Sequence, residues 1–263
     1  MAEAFNMKDA LVPNPSRTFP DYYHARLGLK LADEKSKVYA QLSKIQDYAT
    51  ENQMKVNSAK CKFILFNPTL VHDFVPDFEI QGNALDTMEE MKLLGLTLRN
   101  DLKWRSNTDD IVKRAYAKLW MIKRLKNAGA NHLDLVDVYI KQIRSILEFG
   151  VPVWNSNLTK NEVNDIERVQ KSFLQITLGK EFENYETARK VMDLETLESR
   201  RNSLCTRFAA KAAKDPKHKH WFVPEDQTGV NTRSEKFKYK TPLCRLKRYQ
   251  TSPIPYLTSL LNA

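Results

Sequence analysis

Asp109 and Asp110 are the only adjacent aspartates in the chain. Paired carboxylates can hold two metal ions for nucleotidyl transfer, but that chemistry needs them on a rigid hairpin or strand, with the ions about 4 Å apart. Here the pair lies at the start of a predicted helix, where acidic side chains complement the positive end of the helix dipole. We therefore predict a structural role for both aspartates and no catalytic residue among them.

Cysteine and histidine side chains are the other candidates for metal binding or nucleophilic chemistry. His218 and His220 lie between Cys205 and Cys244, but the spacings fit no standard zinc pattern. We favour separate surface histidines and unligated thiols over a zinc site. No Ser-His-Asp, Cys-His or glycine-rich phosphate-binding pattern occurs in a supporting context. The sequence therefore predicts no bound metal or cofactor.

Aromatic and basic residues alternate in the later chain, a combination that suits nucleic-acid surfaces because cations contact phosphates and rings contact bases or sugars. The combinations are Trp120 with Lys123 and Arg124, Tyr139 with Lys141 and Arg144, and Tyr239 with Lys238 and Lys240. Since Trp120 and Tyr139 fall on amphipathic helices, we predict core or half-buried positions for both rings. The neighbouring bases are candidate phosphate contacts, with a solvated face as the alternative.

The positive charge is concentrated towards the C-terminal end. The 263 residues include 42 basic and 32 acidic side chains, and the whole excess of +10 lies within residues 200–263. This asymmetry suggests a polyanionic partner, nucleic acid first and an acidic membrane surface second, with a merely solubilising tail as the alternative. An odd number of cysteines, and the lack of any stretch suited to a signal peptide or membrane span, predict an intracellular protein, cytoplasmic or nuclear.

The fold class predicted from hydrophobic periodicity is α+β. After an irregular segment at 1–32, apolar residues at intervals of three and four predict a helix over 33–51. Short apolar runs predict three strands, at 62–66, 78–80 and 91–98. We expect these strands to form a small antiparallel sheet covered on one side by the helix. Residues 33–104 are thus the first predicted domain.

Residues 105–213 are predicted to form a second domain, a helical bundle. Apolar stripes with helical spacing indicate four helices, at 105–127, 133–149, 159–177 and 194–213. Residues 106–109 supply side chains suited to capping the first of these. The remaining residues, 214–263, are basic and contain several prolines. They predict an irregular tail with an extended stretch at 252–257.

A series of ordered segments carries a family resemblance. The segments are NQMKVNSAKCK at 52–62, KLLGLTL at 92–98, DLKW at 101–104, LEFGVPVW at 147–154, IERVQK at 166–171, YKTPLCR at 239–245 and SPIPYL at 252–257. Together they resemble the C-terminal part of reverse transcriptases from non-LTR retrotransposons of the endonuclease–reverse transcriptase type. The resemblance covers residues 33–263 and depends on the joint order of the segments.

The resemblance implies a palm remnant, a thumb and a tail. Residues 52–62 would correspond to polymerase motif D, with Lys60 near the incoming triphosphate. The next segment would be the motif E hairpin, the primer grip, with Leu94 and Gly95 as its primer-grip-like residues. Residues 105–178 would be the thumb helices that hold the template–primer duplex.

The expected partners are the RNA and DNA of a template–primer, bound mainly through phosphate contacts. Candidate contacts are basic residues of the first thumb helix and of the tail: Lys123, Arg124, Lys126, Lys236, Lys238, Lys240, Arg245, Lys247 and Arg248. We expect no membrane role.

The family's Tyr-x-Asp-Asp turn, which carries catalytic aspartates, does not occur in this sequence. Without those carboxylates, the Mg²⁺ ions of a complete family member would lack ligands. We therefore expect a truncated, non-catalytic reverse transcriptase fragment that retains template–primer binding. Two alternatives stay open. One is the C-terminal part of an active RNA-directed DNA polymerase that needs upstream sequence or works in trans, and the other is a helical protein-interaction module without a nucleic-acid role.

Overall fold

The computed structural model describes residues 23–58, 61–66, 77–224, 238–245 and 247–263. Its helices and short strands form two compact units. Of the described chain, the first unit comprises 23–63 and 77–87, and the second comprises 64–66 and the residues from Met88 onward. The mixture of helices with small sheets agrees with the predicted α+β class.

The first unit begins with α1 (Tyr23–Glu51), which starts ten residues before the predicted helix. The irregular segment predicted for residues 1–32 is therefore wrong over its last ten residues, because helical backbone continues beyond the part with regular apolar spacing. Tyr39 attaches α1 to the rest of the unit. Its hydroxyl donates to the carbonyl oxygen of Asp77 at 2.6 Å, and its ring meets that of Phe78 edge-on, with centroids 5.6 Å apart.

The sheets of the first unit have two strands each. β1 (Lys62–Phe63) pairs in parallel with β4 (Asp86–Thr87), while β2 (Glu79–Ile80) pairs antiparallel with β3 (Asn83–Ala84). The prediction of one small antiparallel sheet is therefore wrong. The chain reverses directly after β2 through two residues with positive φ, so β2 pairs with the strand that follows it and not with β1.

The second unit opens with a hairpin of β5 (Glu90–Leu93) and β6 (Leu96–Arg99). Between them, Leu94 and Gly95 have φ of 48° and 88°, as a tight turn with two left-handed residues requires. Periodicity predicted one strand over 91–98, whereas the family resemblance implied a hairpin. The pattern missed the turn because leucine is not among the residues that favour turns.

A helical bundle follows the hairpin. Its helices are α2 (Arg105–Asn127), α3 (His132–Tyr139), α4 (Ser145–Leu147), α5 (Val151–Trp154), α6 (Lys160–Leu178), α7 (Tyr185–Val191) and α8 (Leu197–Ala212). A π-helical segment (Ile140–Arg144) joins α3 to α4, so the second predicted helix is present in three pieces. The sequence predicted no helix between 149 and 159 or between 177 and 194, but α5 lies in the first of these gaps and α7 in the second.

The bundle core is built from the apolar stripes that the sequence predicted. Ile111 and Ile122 of α2 and Ile166 and Phe173 of α6 are fully buried, and α2 packs chiefly against α6. Burying side chains of this size contributes about 1.5–3 kcal/mol each. This packing fixes which side of α2 faces solvent.

The start of α2 differs from its prediction. The helix begins at Arg105 without a side-chain cap, so the predicted capping by residues 106–109 is wrong. These residues lie inside the helix, and Asn107 among them is buried. Its Oδ1 accepts a hydrogen bond from the backbone N–H of Thr97 in β6 at 3.1 Å. Asn107 therefore connects α2 to the hairpin.

The tail contains two helices, α9 (Lys247–Gln250) and α10 (Pro253–Asn262). The predictions of an irregular tail and of an extended stretch at 252–257 are wrong there. A proline in the first helical turn has its φ already set, and it lacks only an N–H that would have no helical partner. α10 packs on α8 and buries Leu257 in the bundle core.

The side-chain amide of Asn262, at the end of α10, binds the backbone of Tyr239 near the start of the described tail. Asn262 Oδ1 accepts from the backbone N–H of Tyr239 at 3.0 Å, and its Nδ2 donates to the Tyr239 carbonyl at 2.8 Å. Tyr239 forms an antiparallel bridge with Pro224. These contacts make the described part of the tail a packed component of the second unit.

Candidate nucleic-acid interface

Most of α2 lies in a stretch with strong positive charge. From Ile111 to Leu133 the chain has no aspartate or glutamate and six bases: Lys113, Arg114, Lys118, Lys123, Arg124 and Lys126. Because the apolar stripe of α2 faces the core, five of these six side chains are exposed. The overall neutrality of residues 1–199 concealed this local charge.

Five exposed side chains on one side of α2 form a stripe that we call the α2 face. Its members are Lys113, Tyr116, Trp120, Lys123 and Arg124. Residues three and four positions apart lie on the same side of a helix, so the two rings lie between one cation before them and two after them. The α2 face therefore combines cations for phosphates with rings for bases.

Trp120 lies at the centre of the α2 face, so its predicted core or half-buried position is wrong. Its side chain is 58% exposed, whereas Tyr139 is fully buried as predicted. Trp120 follows the buried Leu119, and successive helical residues point about 100° apart. That rotation carries the indole out of the apolar stripe. The guanidinium of Arg124 lies 5.5 Å from its ring centroid, a cation–π contact.

Lys126, the third predicted contact on this helix, points away from the α2 face. Its Nζ donates to the carbonyl oxygen of Ile176 at 2.8 Å, close to the end of α6, where unpaired carbonyls carry partial negative charge. The ammonium of Lys126 therefore stabilises the packing of α2 on α6. Lys123 and Arg124 are the exposed members of the predicted trio.

The neighbouring helix α6 contributes an ion-paired arginine beside the α2 face. Near the helix starts, Arg105 of α2 donates to Asp165 of α6 at 2.9 Å. Arg168 of α6 is 68% exposed, and it lines a shallow groove together with Lys113 and Tyr116. Two carboxylates, Asp109 and Asp165, line the same groove and pair with Arg105 and Arg168. The charges of these four side chains balance, so the net positive charge here comes from Lys113 of the α2 face.

The adjacent aspartates lie beyond the first turn of α2, so they do not occupy the helix start where they were predicted, and both form ion pairs. Asp109 contacts Arg105 at 2.8 Å, one helical turn earlier. Asp110 contacts Lys92 at 3.2 Å and Arg114 at 3.1 Å. The two carboxylates thus bind different cations on different sides of the helix.

The primer-grip-like residues form the tip of the hairpin. Leu94 is 89% exposed. Gly95 lies against the ring of Phe149, and a Cβ at this position would come within 3.0 Å of that ring. Both its positive φ and this close approach therefore require glycine. The tip presents an apolar side chain and no cation.

The described cations of the tail are also at the surface. Of the predicted tail contacts, Lys238, Lys240, Arg245 and Lys247 are exposed. The Nζ of Lys238 lies 5.6 Å from the ring centroid of Tyr239. Arg248 lies on α9. Lys236, the remaining predicted tail contact, lies outside the described residues, as does Lys60, the residue predicted near the incoming triphosphate.

A buried polar network supports α6 from within the bundle. Tyr139 donates to Gln170 Oε1 at 2.8 Å, and Gln170 Nε2 donates to the Tyr185 hydroxyl at 2.9 Å. Tyr185 in turn donates to Glu167. Burial raises the pKa of both tyrosines, so their hydroxyls stay protonated donors. Sequence periodicity gave no signal for this network because its members come from three helices.

The cysteine and histidine side chains considered above as zinc ligands have other surroundings in the structure. Cys205 is fully buried, and burial raises the pKa of its thiol to about 11. His218 Nδ1 lies 2.6 Å from the carboxylate of Asp215. Within the described residues, no three histidine, cysteine, aspartate or glutamate side chains are grouped to hold a metal ion.

Comparison with known proteins identifies no relative: no family model, no curated protein and no solved structure matches this chain. Among the described helices, none has the length and apolar character needed to span a membrane. Function is therefore inferred from the residues and geometry described above.

Proposed function

We propose that this chain is a non-catalytic fragment of a non-LTR retrotransposon reverse transcriptase that binds template–primer nucleic acid. The observation that carries the binding is the α2 face, which extends cations and rings into solvent from a helix without acids beyond Ile111. The family assignment depends on the ordered segments that resemble those enzymes. The hairpin turn at Leu94 and Gly95 is consistent with a primer grip.

Phosphates are the expected contacts for most of the cations. Lysine and arginine on an exposed helix attract a polyanion regardless of its sequence, and each phosphate that they neutralise releases condensed counterions. The α2 face supplies Lys113, Lys123 and Arg124, and the tail supplies a second group. If these three cations and the six predicted tail contacts each neutralise a phosphate, log K should fall with log salt with a slope of roughly −8 on a duplex.

Catalysis by this chain alone is not expected. Asp109 and Asp110 are engaged with basic side chains, and the sequence contains no Tyr-x-Asp-Asp turn. The purified chain, given primer–template, Mg²⁺ and nucleotides, should extend no primer. Extension that disappears in the double variant Asp109→Ala, Asp110→Ala would overturn this part of the proposal.

The binding proposal is tested by salt titration with an RNA–DNA duplex. The native chain should show a steep salt dependence. Replacing Lys113, Lys123 and Arg124 with Gln should make the slope shallower by roughly 2.7, because each phosphate contact contributes about 0.9.

A matched control removes the same charge elsewhere. Lys180, Lys190 and Lys211 are exposed on three other segments of the second unit, and their replacement with Gln should leave the slope nearly unchanged. Equal slopes for the two triple variants would show that only net charge matters. Salt-independent or undetectable binding of the native chain would refute the proposed function.

A further inference from the structure

Trp120 differs from the other three tryptophans in its surroundings. Trp104 and Trp154 are buried in the bundle core and Trp221 is half-buried, whereas Trp120 is 58% exposed. A ring of this size normally contributes to stability through burial. Trp120 contributes little in that way, so its position suggests contact with something outside the bundle.

Tyr116 provides a second ring on the same stripe. It lies one helical turn before Trp120 and is 40% exposed. Four helical residues span about 6 Å, compared with the roughly 3.4 Å between stacked bases of a duplex strand. Two bases stacked on these rings would therefore be separated from each other. An unpaired strand can separate its bases in this way, and an intact duplex cannot.

The charges around the rings complement a phosphate backbone. Lys113 precedes the rings, and Lys123 and Arg124 follow them. Arg124 lies over Trp120 at 5.5 Å from the centroid. Since an indole has two faces, one arginine leaves the other available for a base. An acidic protein could meet the same cations, but it would supply fewer planar groups for the two rings.

We infer that the α2 face binds single-stranded nucleic acid, with unpaired bases stacked on Trp120 and Tyr116 and with phosphates bound by Lys113, Lys123 and Arg124. This inference rests on the proposed function and adds the strandedness and the mode of contact. In a duplex the base faces are covered by neighbouring bases, so a duplex meets the α2 face through phosphates alone. Stacking accepts every base, so binding depends weakly on sequence.

The test titrates the full chain with oligo(dT) and oligo(U) of about 12 nucleotides, within the usual site size, and with a DNA duplex of equal length. Both single strands should quench the tryptophan fluorescence of the native chain, and Trp120→Phe should lose that quenching. Trp120→Ala should lower the affinity for oligo(dT) roughly 5- to 150-fold, the effect typical of one stacked base. Duplex affinity should hardly change.

Three further variants separate stacking from other contacts. Trp120→Phe keeps a stacking ring and should retain more affinity than Trp120→Leu, which keeps apolar volume without a ring. Trp221→Phe is the matched control and should preserve the quenching. Because Trp120 is exposed, its variants should keep the native helical circular dichroism, which confirms that affinity changes do not reflect unfolding.

The outcomes distinguish this inference from the proposed function. If Trp120→Ala binds oligo(dT) as tightly as the native chain while duplex binding keeps its salt slope, stacking is refuted and the proposed function stands. If Trp120→Leu matches the native chain, the contact is apolar and the inference is also refuted. If no nucleic acid binds in a salt-dependent way, both fail. Quenching of the native chain by either single strand, together with a loss of affinity in Trp120→Ala, supports the inference. The strand that binds more tightly shows whether DNA or RNA is preferred.

Discussion

The α2 face and the tail carry positive charge in different ways. The α2 face is one side of a long helix whose other side is buried, so its cations and rings have a fixed spacing. The predicted tail contacts that the structure describes lie on the short helix α9 and on non-helical chain before it, and α10 attaches this region to α8. The tail therefore offers charge, whereas the α2 face offers charge together with two exposed rings.

This difference separates two kinds of nucleic-acid contact. Cations without rings bind phosphates of any strand, and their contribution is read in the salt dependence. Exposed rings bind base faces, and their contribution is read in the preference for unpaired strands. The two regions should therefore respond differently to the same substitutions.

The largest effect should come from removing the tail charge. Replacing Lys236, Lys238, Lys240, Arg245, Lys247 and Arg248 with Gln should make the duplex salt slope shallower by roughly five, if each contacts a phosphate. Fluorescence quenching by oligo(dT) should persist, because Trp120 is untouched. An unchanged duplex slope would show that the tail only aids solubility. Loss of quenching would show that the two regions do not bind independently.

A second large effect should come from loosening the tail from the bundle. Leu257 is 1% exposed, and Leu257→Ala should lower the free energy of unfolding by about 3 kcal/mol through lost burial and a residual cavity. Urea denaturation measures the change. Leu243→Ala is the matched control, since Leu243 lies in the tail but is exposed, and it should have almost no effect. Equal stability of both variants would mean that α10 is not part of the core.

The bundle was predictable because its helices bury stripes with a regular period. Ile111 and Ile122, with the corresponding positions of α6, lie where the spacing of three and four placed them. The sheet was not predictable because strands of two residues carry almost no period, and their pairing depends on where the chain reverses. α10 was missed because Pro253 and Pro255 were interpreted as breakers, although a proline in the first turn can begin a helix.

The candidate site was predicted only in part. The basic residues Lys123 and Arg124 were identified from their proximity to Trp120, but the indole itself was assigned to the interior. Its exposure depends on the angular difference from Leu119, which a count of apolar residues does not resolve. The charge of α2 was concealed because it was averaged with acidic segments elsewhere in residues 1–199. The structural role of Lys126 could not be predicted from the sequence, because the carbonyl oxygen that it binds belongs to another helix.

A third prediction uses Cys205 to test how closely α10 covers α8. Burial raises the pKa of this thiol to about 11 from its usual 9.0, so at pH 8 its thiolate fraction should be roughly 100-fold lower than in the unfolded chain. Alkylation by iodoacetamide, followed by mass spectrometry, should therefore be at least about 100-fold slower in the native chain than in urea. Cys205→Ser identifies the adduct.

The pH dependence of this reaction has a definite sign. The folded chain favours the protonated thiol, so the stability from this group is complete below pH 9 and is lost as pH rises through about 11. Alkylation should accelerate about tenfold per pH unit above pH 8. Native-state labelling as fast as in urea would mean that α10 leaves Cys205 accessible, and that the tail is less firmly attached than its contacts indicate.

The smallest effect concerns Arg124, the residue in which charge and ring contact combine on the α2 face. Arg124→Lys keeps the charge but loses the planar group over Trp120, a contact of about 0.5–1 kcal/mol at an exposed site. Because this contact is already present in the free chain, its energy is only an upper bound on the loss of affinity for oligo(dT), which should be at most about fivefold, with an unchanged salt slope. Arg124→Gln should also make the slope shallower by roughly 0.7, the value for one phosphate contact on a single strand. Fluorescence titrations at several salt concentrations separate the two effects, and Lys118→Gln, on another side of α2, is the charge control. Native-like affinity and slope in both Arg124 variants would remove Arg124 from the interface, and the stacking of bases would then depend on Trp120 and Tyr116 alone.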